Sequence, residues 1–216
     1  MSNALLAAKF RHQLGDPLVD LIRRAAANII IEPGASDVLT MATNLTVQAS
    51  HFHEATGHPP PTTGLLTALH TIMKDAADSI KHGTLRKASR QTSFQTALEF
   101  DVKGKQYRFF RTAIWAKSAG AGEFDLVETL KDYCLLLAKD LNIVWESTFV
   151  LQDHQFADVA TIVVGDKNPN PQSCRYYLYE FDEAKQERRQ LDNIPAGFSL
   201  RIENRSQDDW TRQRGF

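Results

Sequence analysis

The sequence concentrates its positive charge in one segment, from Lys81 to Arg111. This segment carries eight lysines and arginines against two acids, whereas the residues before it sum to −2 and those after it to −5. Closely spaced cations bind phosphates and carboxylates by direct attraction and by release of counterions. We therefore expect this basic segment to form a surface that contacts an anionic partner, a nucleic acid or an acidic protein. The expected contact residues are Lys81, Arg86, Lys87, Arg90, Lys105, Arg108 and Arg111.

The competing interpretation of the basic segment is a solvated surface whose charges pair with neighbouring acids. Glu99 and Arg108 would form one such pair. The net charge of the whole chain is −1 and its pI is about 6.7, which is not typical of a dedicated nucleic-acid-binding protein. Because the basic segment is nevertheless the clearest asymmetry in the sequence, we favour a non-enzymatic binding or regulatory module. The nature of the anionic partner stays open.

A different function, hydrolysis of phosphodiesters, is indicated by the short pattern Asp101-Val102-Lys103. Metal-dependent nucleases of this type use a carboxylate to bind the metal and a lysine two residues later to orient the attacking water. Asp75 or Asp78, on the preceding helix, would supply a second acid. The same spacing arises easily by chance, and Glu183-Ala184-Lys185 repeats it, so this hydrolase is the alternative and not the main prediction.

Histidines cluster near the end of the third predicted helix, at His51, His53 and His58. A zinc-binding helix needs two histidines four residues apart on one face, but His53 and His58 are five apart. A metal site here would need a distant ligand such as His70 or His82. The pattern therefore predicts the end of a polar helix and no metal site.

Other sites with recognisable chemistry are missing from the sequence. It contains neither a Gly-x-Ser-x-Gly nucleophile elbow nor a Gly-rich phosphate loop, so it predicts no catalytic residue and no cofactor. Cys134 and Cys174 lie far apart in the sequence and are expected to be unbridged, reduced thiols. No apolar run reaches the roughly 18 residues of a membrane span, and the N-terminus lacks a signal-peptide pattern. We therefore expect a cytoplasmic protein that does not enter membranes.

The elements that must position these residues are predicted from the spacing of apolar side chains. Helical spacing covers Ala4–Leu14, Pro17–Ile30, Ser36 to about Glu54, and Thr62 or Thr63 to Ile80. The first two helices are separated at Gly15-Asp16, where Asp16 is a plausible N-cap before Pro17, and Gly83 is expected to end the fourth. Beyond Gly83 the pattern alternates as in strands, with one amphipathic helix over 124–141.

These elements define an α+β fold class. We expect an N-terminal layer of about four helices packed on a mainly antiparallel sheet with one further helix. The predicted regions are 1–83 (helical), 84–204 (α+β, or one continuous domain with the helical region) and 205–216 (a polar tail).

The sharpest structural prediction concerns a hairpin whose two-residue loop is Lys103-Gly104. That loop would set Glu99 opposite Arg108, because a two-residue loop leaves no freedom in the register. It would also gather the alternating apolar side chains on one buried face. These are Leu98, Phe100, Val102, Tyr107 and Phe109.

Overall fold

The computed structural model describes residues 2–27, 29–30, 37–62, 64–145, 154–164, 175–182, 184–185 and 187–204. Its helices are α1 (Asn3–Phe10), α2 (Asp16–Ala26), α3 (Asp37–Thr56), α4 (Gly64–His82) and α5 (Leu126–Asp140). Its strands are β1 (Ile29–Ile30), β2 (Thr92–Lys103), β3 (Gln106–Ser118), β4 (Gly122–Asp125), β5 (Ala160–Val164), β6 (Arg175–Asp182), β7 (Glu187–Gln190) and β8 (Leu200–Asn204). Helices come first and a mainly antiparallel sheet with one later helix follows, which confirms the α+β class. The expected polar tail at 205–216 lies outside the described residues.

The predicted break between the first two helices is wrong. A π-helical turn over Arg11–Gly15 joins α1 directly to α2, and Asp16 continues the helical conformation instead of capping a new helix. Pro17 gives a physical reason for the wider turn, since a proline ring inside an α-helix crowds the carbonyl four residues earlier. Gly15 also leaves room for the indole of Trp145, because a Cβ atom at this position would lie 2.9 Å from Nε1 of Trp145.

The end of the second predicted helix is also corrected. Helix α2 stops at Ala26, and Ile29–Ile30 instead forms the short strand β1, which runs parallel to β5. Strand β5 pairs in parallel with β8 on its other side, so the sheet order is β1-β5-β8. The local apolar spacing could not distinguish a helix end from a strand whose partner lies more than a hundred residues later.

The larger sheet has the order β4-β3-β2-β6-β7. Strand β4 runs antiparallel to β3, and β7 runs antiparallel to β6, whereas β2 and β6 are parallel. Between β2 and β6 the register sets Asp101 beside Tyr179. Between β6 and β7 it sets Phe181 beside Arg188. This register brings charged residues from distant parts of the chain onto one face.

The chain divides into two compact units. The first comprises Met1–Arg24, Thr40–Gln95 and Ile114–Val150, and the second comprises Ala25–Leu39, Thr96–Ala113 and Leu151–Phe216. In the first unit Phe10 packs edge-on against Phe52 and Trp145, with ring centroids 5.9 and 5.5 Å apart. In the second unit the apolar face of β2 and β3 packs against Ala160 and Ile162 of β5.

The predicted β2–β3 hairpin forms, but its loop lies one residue later than expected. Strand β2 ends at Lys103 and β3 begins at Gln106, so the two loop residues are Gly104 and Lys105. Gly104 has a φ of 64°, and glycine at the first loop position is what a type II′ hairpin turn prefers. The shift moves the pairing by two residues and therefore keeps each side chain on its expected face. The five apolar residues predicted to share the buried face are all buried there.

Candidate functional site

The basic segment begins at the end of α4, where a connector of residues 83–91 leads into β2. Gly83 adopts a φ of 67° just after the last residue of α4, which confirms the predicted helix end. The carboxamide of Gln91 then spans the connector: its Oε1 accepts from the Leu85 amide at 2.7 Å, and its Nε2 donates to the Gly83 carbonyl at 2.8 Å. One neutral side chain therefore closes this connector into a compact loop.

Arg90 fastens the same connector to α4. Its Nε donates to Oδ1 of Asp75 at 2.6 Å and its Nη2 donates to Oδ2 of Asp78 at 2.7 Å. These hydrogen bonds, led by the one to Asp75, raise the pKa of the Arg90 guanidinium above its ordinary value. The Thr92 amide also donates to Oγ of Ser79 at 2.9 Å. Arg90 is therefore committed to two carboxylates and holds the loop in place.

The remaining cations of the connector point into solvent. Arg86 and Lys87 are exposed, and neither makes a side-chain hydrogen bond or an ion pair with any of the described residues. Lys81, one turn back on α4, is also exposed and contacts Nε2 of His51, whose Nδ1 lies 2.9 Å from Oε2 of Glu54. The hydrogen bond from His51 lowers the pKa of Glu54. The part of the basic segment that belongs to the first unit therefore has three exposed cations, at Lys81, Arg86 and Lys87.

The second unit holds Lys105, Arg108 and Arg111. Lys105 is exposed in the hairpin loop, but the two arginines bind buried carboxylates. Arg108 Nε donates to Oδ2 of Asp101 and Arg111 Nε donates to Oε2 of Glu99, each at 2.9 Å. Asp101 is 0% and Glu99 1% exposed, so these pairs lie in the interior. Glu99 therefore binds Arg111, and because the hairpin loop lies one residue later than expected, Glu99 and Arg108 are not directly opposite each other.

A third arginine, Arg188 of β7, completes this carboxylate–arginine network. Its Nε donates to Oδ1 of Asp101 at 2.5 Å and its Nη1 donates to Oε2 of Glu99 at 3.3 Å. The hydroxyl of Tyr179 donates to the other Glu99 oxygen at 3.2 Å. Burial, followed by the charge of Glu99, raises the pKa of Tyr179 to about 12, so the phenol remains a donor. All four carboxylate oxygens of the network therefore have a donor.

Each of two of these guanidinium groups lies close to two aromatic rings. The Arg188 guanidinium carbon lies 3.5 Å from the ring centroid of Phe110 and 4.1 Å from that of Tyr179. The Arg108 carbon lies 4.5 Å from the Phe181 centroid and 4.7 Å from the Phe156 centroid. A planar, weakly hydrated guanidinium suits such stacking. Sequence reasoning missed Arg188, Tyr179 and the ring partners, because no local pattern links β7 to β2.

The residues proposed for the hydrolase are engaged in other contacts. Asp101 accepts from Arg108 and Arg188 through its two oxygens, and Asp75 and Asp78 both accept from Arg90. Lys103 is exposed, with Nζ 5.9 Å from the Phe156 ring centroid. Among the residues that the structure describes, no group of three or more His, Cys, Asp or Glu side chains is placed to hold a metal ion. Glu183, in the second copy of the pattern, lies outside the described part of the chain.

The histidines near the end of α3 separate into two environments. His51 is partly exposed beside Glu54, whereas His53 is buried and its ring packs edge-on against His70, with centroids 5.2 Å apart. His70 is one of the two distant residues, with His82, that the sequence offered as a further ligand for a metal site. His82 is exposed at the end of α4.

Cys134 is a free thiol in the core of α5, where burial raises its pKa to about 12. Cys174 lies outside the described residues. None of the described helices combines the length and the apolar character that a membrane crossing requires.

Comparison of the chain with protein-family models, curated proteins and solved structures found no match.

Proposed function

We propose that this protein is a binding module that recognises an anionic partner, a nucleic acid or an acidic protein, through the exposed cations of the connector between α4 and β2. The contact residues are Arg86 and Lys87, with Lys81 beside them on α4. The observation that carries the proposal is that Arg86 and Lys87 are exposed and unpaired among the described residues, whereas Arg90 of the same loop is bound to two aspartates.

Preorganisation is the physical reason why this loop suits a binding role. Gln91 closes the connector and Arg90 fastens it to α4, so its backbone is fixed before a partner arrives. A loop that is already ordered loses less conformational entropy on binding than a loose one. Cations on such a loop can neutralise phosphates or carboxylates and release their counterions.

The other arginines of the basic segment receive different roles in this proposal. Arg90 positions the connector, and Arg108 and Arg111 compensate the buried carboxylates Glu99 and Asp101. Lys105, which is exposed in the hairpin loop of the second unit, remains a further contact candidate.

The phosphodiester hydrolase has less support. A metal ion at Asp101 would have to displace Arg108 and Arg188 from its two oxygens, and removing the partners of a buried carboxylate is costly. No observation favours catalysis over binding, so we put forward binding alone.

The experiment is a titration of the full-length chain with a fluorescent oligonucleotide and, separately, with fluorescent polyglutamate, at several salt concentrations. Three cations predict that the logarithm of the binding constant falls with the logarithm of salt with a slope of about −2 to −3. The double variant Arg86→Gln/Lys87→Gln should weaken binding and reduce the size of that slope by about 1.5 to 2.

A charge-matched control separates the connector from net charge. The double variant Arg11→Gln/Lys139→Gln also removes one arginine and one lysine from exposed helical positions of the first unit. It should bind like the wild type. Equal losses in both double variants, or no binding of either polyanion at low salt, would refute the proposal. The polyanion that binds more tightly identifies the class of partner.

A further inference from the structure

A buried histidine without hydrogen-bond partners lies in the helical core of the first unit. His53 of α3 is only 2% exposed, and neither its Nδ1 nor its Nε2 has a hydrogen-bond partner. The Pro59 carbonyl lies near the ring and favours its protonated form by raising the pKa of His53, although neither ring nitrogen meets the geometry of a full hydrogen bond. Buried polar groups are nearly always bonded, so a ring with two unpartnered nitrogens requires an explanation.

His53 belongs to a chain of polar groups that links three helices. Its ring meets that of His70 on α4 at an interplanar angle of 86°. Nδ1 of His70 lies 3.0 Å from the hydroxyl of Tyr133 on α5, and that hydroxyl donates to the Ala49 carbonyl of α3 at 3.4 Å. The contacts of α3, α4 and α5 therefore meet at the two imidazoles.

The surroundings of the two rings favour their neutral forms. Burial lowers the pKa of His53 and that of His70, and each has a further contribution from a neighbouring histidine. Asp140 of α5 is the acid that acts on His53, and Glu54 of α3 the one that acts on His70, but neither carboxylate hydrogen-bonds to the ring on which it acts.

The remaining titratable groups near the two rings supply no negative charge. His58, in the connector after α3, opposes protonation of His53, and Lys74 of α4 opposes protonation of His70. Burial raises the pKa of the Tyr133 phenol above its ordinary value, so it offers no anion. A proton added to either imidazole therefore creates a charge that no hydrogen-bonded carboxylate compensates.

We propose that the His53–His70 pair is an acid-sensitive switch, in which protonation separates α3 from α4 at this point and exposes His53 to water. Two positive rings with centroids 5.2 Å apart repel each other, and separating the two helices would relieve this repulsion and give the buried His53 access to water. This inference concerns a region other than the connector and goes beyond the proposed binding function.

The direction of the pH effect on stability follows from the proton affinities of the two histidines in the folded and in the unfolded chain. A histidine in the unfolded chain has a pKa near 6.5, whereas the folded value is lower at both positions. Below pH 6.5 the unfolded chain thus binds more protons than the folded chain does. The free energy of unfolding is therefore highest above pH 6.5 and decreases as the pH falls below that value. Each histidine can reduce the folding equilibrium constant by up to about tenfold per pH unit.

The test compares urea unfolding of the wild type with that of His53→Phe between pH 7.5 and 5. Phenylalanine retains a ring that can pack edge-on against His70 but cannot take up a proton. Over the pH unit below 6.5, the folding constant of the wild type should fall up to about fivefold more than that of the variant. His82→Gln, which removes an exposed histidine of α4, is measured alongside as the control for loss of a histidine elsewhere in the same unit. Equal pH dependence in wild type and His53→Phe would overturn the proposal.

Two measurements on the wild type make the test independent of how well the variant folds. In NMR titrations the His53 ring signals should stay at their neutral positions through pH 6.5. Hydrogen exchange should accelerate in α3 and α4 at pH 5.5 before the rest of the first unit exchanges. Titration of the native His53 ring at or above pH 6.5, or uniform acceleration over the whole unit, would count against the switch.

Discussion

Arg188 donates from Nε to Oδ1 of Asp101 at 2.5 Å, although the two residues are 87 positions apart in the chain. The register of β2 with β6 and of β6 with β7 brings them together, since Asp101 lies beside Tyr179 and Arg188 beside Phe181. Arg188 also reaches Glu99, so one side chain of β7 compensates two buried acids of β2. The β6–β7 hairpin is thus joined to β2 by charge as well as by backbone pairing.

The variant Arg188→Met should strongly destabilise the second unit. It keeps much of the apolar stem but leaves Asp101 and Glu99 buried with fewer donors, and such a loss costs about 3 kcal/mol. Arg189→Gln is the control, because its ion pair with Glu180 is largely exposed and contributes less than about 1 kcal/mol. Urea unfolding measures both free energies. Equal losses in the two variants would show that the network contributes no more than a surface pair.

Gly15→Ala should destabilise the first unit even though alanine is the better helix former. The new Cβ would lie 2.9 Å from Nε1 of Trp145, and this stiff ring has to move, which we expect to cost about 1 to 2 kcal/mol. In a Trp145→Ala background the clash disappears, and the same change should stabilise by up to about 1 kcal/mol. A double-mutant cycle by thermal unfolding measures the coupling. The idea fails if Gly15→Ala has the same effect with and without the indole.

The alternation of Leu98, Phe100 and Val102 was sufficient to predict which face of β2 is buried, because a period of two is a local property of a strand. The helix end at Gly83 was equally local. The helix expected to reach Ile30 was wrong because Ile29–Ile30 pairs with β5, and that partner is distant in sequence. The continuous helix through Gly15 was missed because Gly-Asp-Pro is also the local pattern of a helix break, and the close approach of Trp145 to Gly15 has no local signal.

The candidate site was likewise only partly predictable from local sequence. The excess of cations between Lys81 and Arg111 was visible in the sequence, but which of them are available was not. Arg90 is paired with acids one to two turns from the end of α4, whereas Arg108 and Arg111 are paired with acids of β2. Arg188 had no sequence signal at all, since only the parallel pairing of β2 with β6 brings its hairpin beside β2.

Cys134 should be unreactive in the folded protein. Burial raises the pKa of its thiol to about 12, so the nucleophilic thiolate is scarce at pH 8 and the sulfur is also shielded from reagents. In a Cys174→Ser variant, a disulfide reagent should modify Cys134 only as fast as the protein opens, and immediately in denaturant. Two free thiols per non-reduced, denatured wild-type chain are expected. Rapid labelling of the native variant, or fewer than two thiols in the wild type, would contradict these expectations.

Gln91→Ala tests whether the connector must be held in shape for binding. The change removes the bonds of Gln91 to Leu85 and Gly83 without altering any charge, so Arg86 and Lys87 remain present on a looser loop. Ordering that loop on binding should lower the affinity for the preferred polyanion by about threefold to tenfold. The salt slope should remain that of the wild type, because the number of ionic contacts is unchanged. Gln106→Ala, an exposed position at the start of β3, should leave both quantities unaltered. Wild-type affinity in Gln91→Ala would show that preorganisation is dispensable, and a reduced salt slope would show that the variant had lost ionic contacts as well as order.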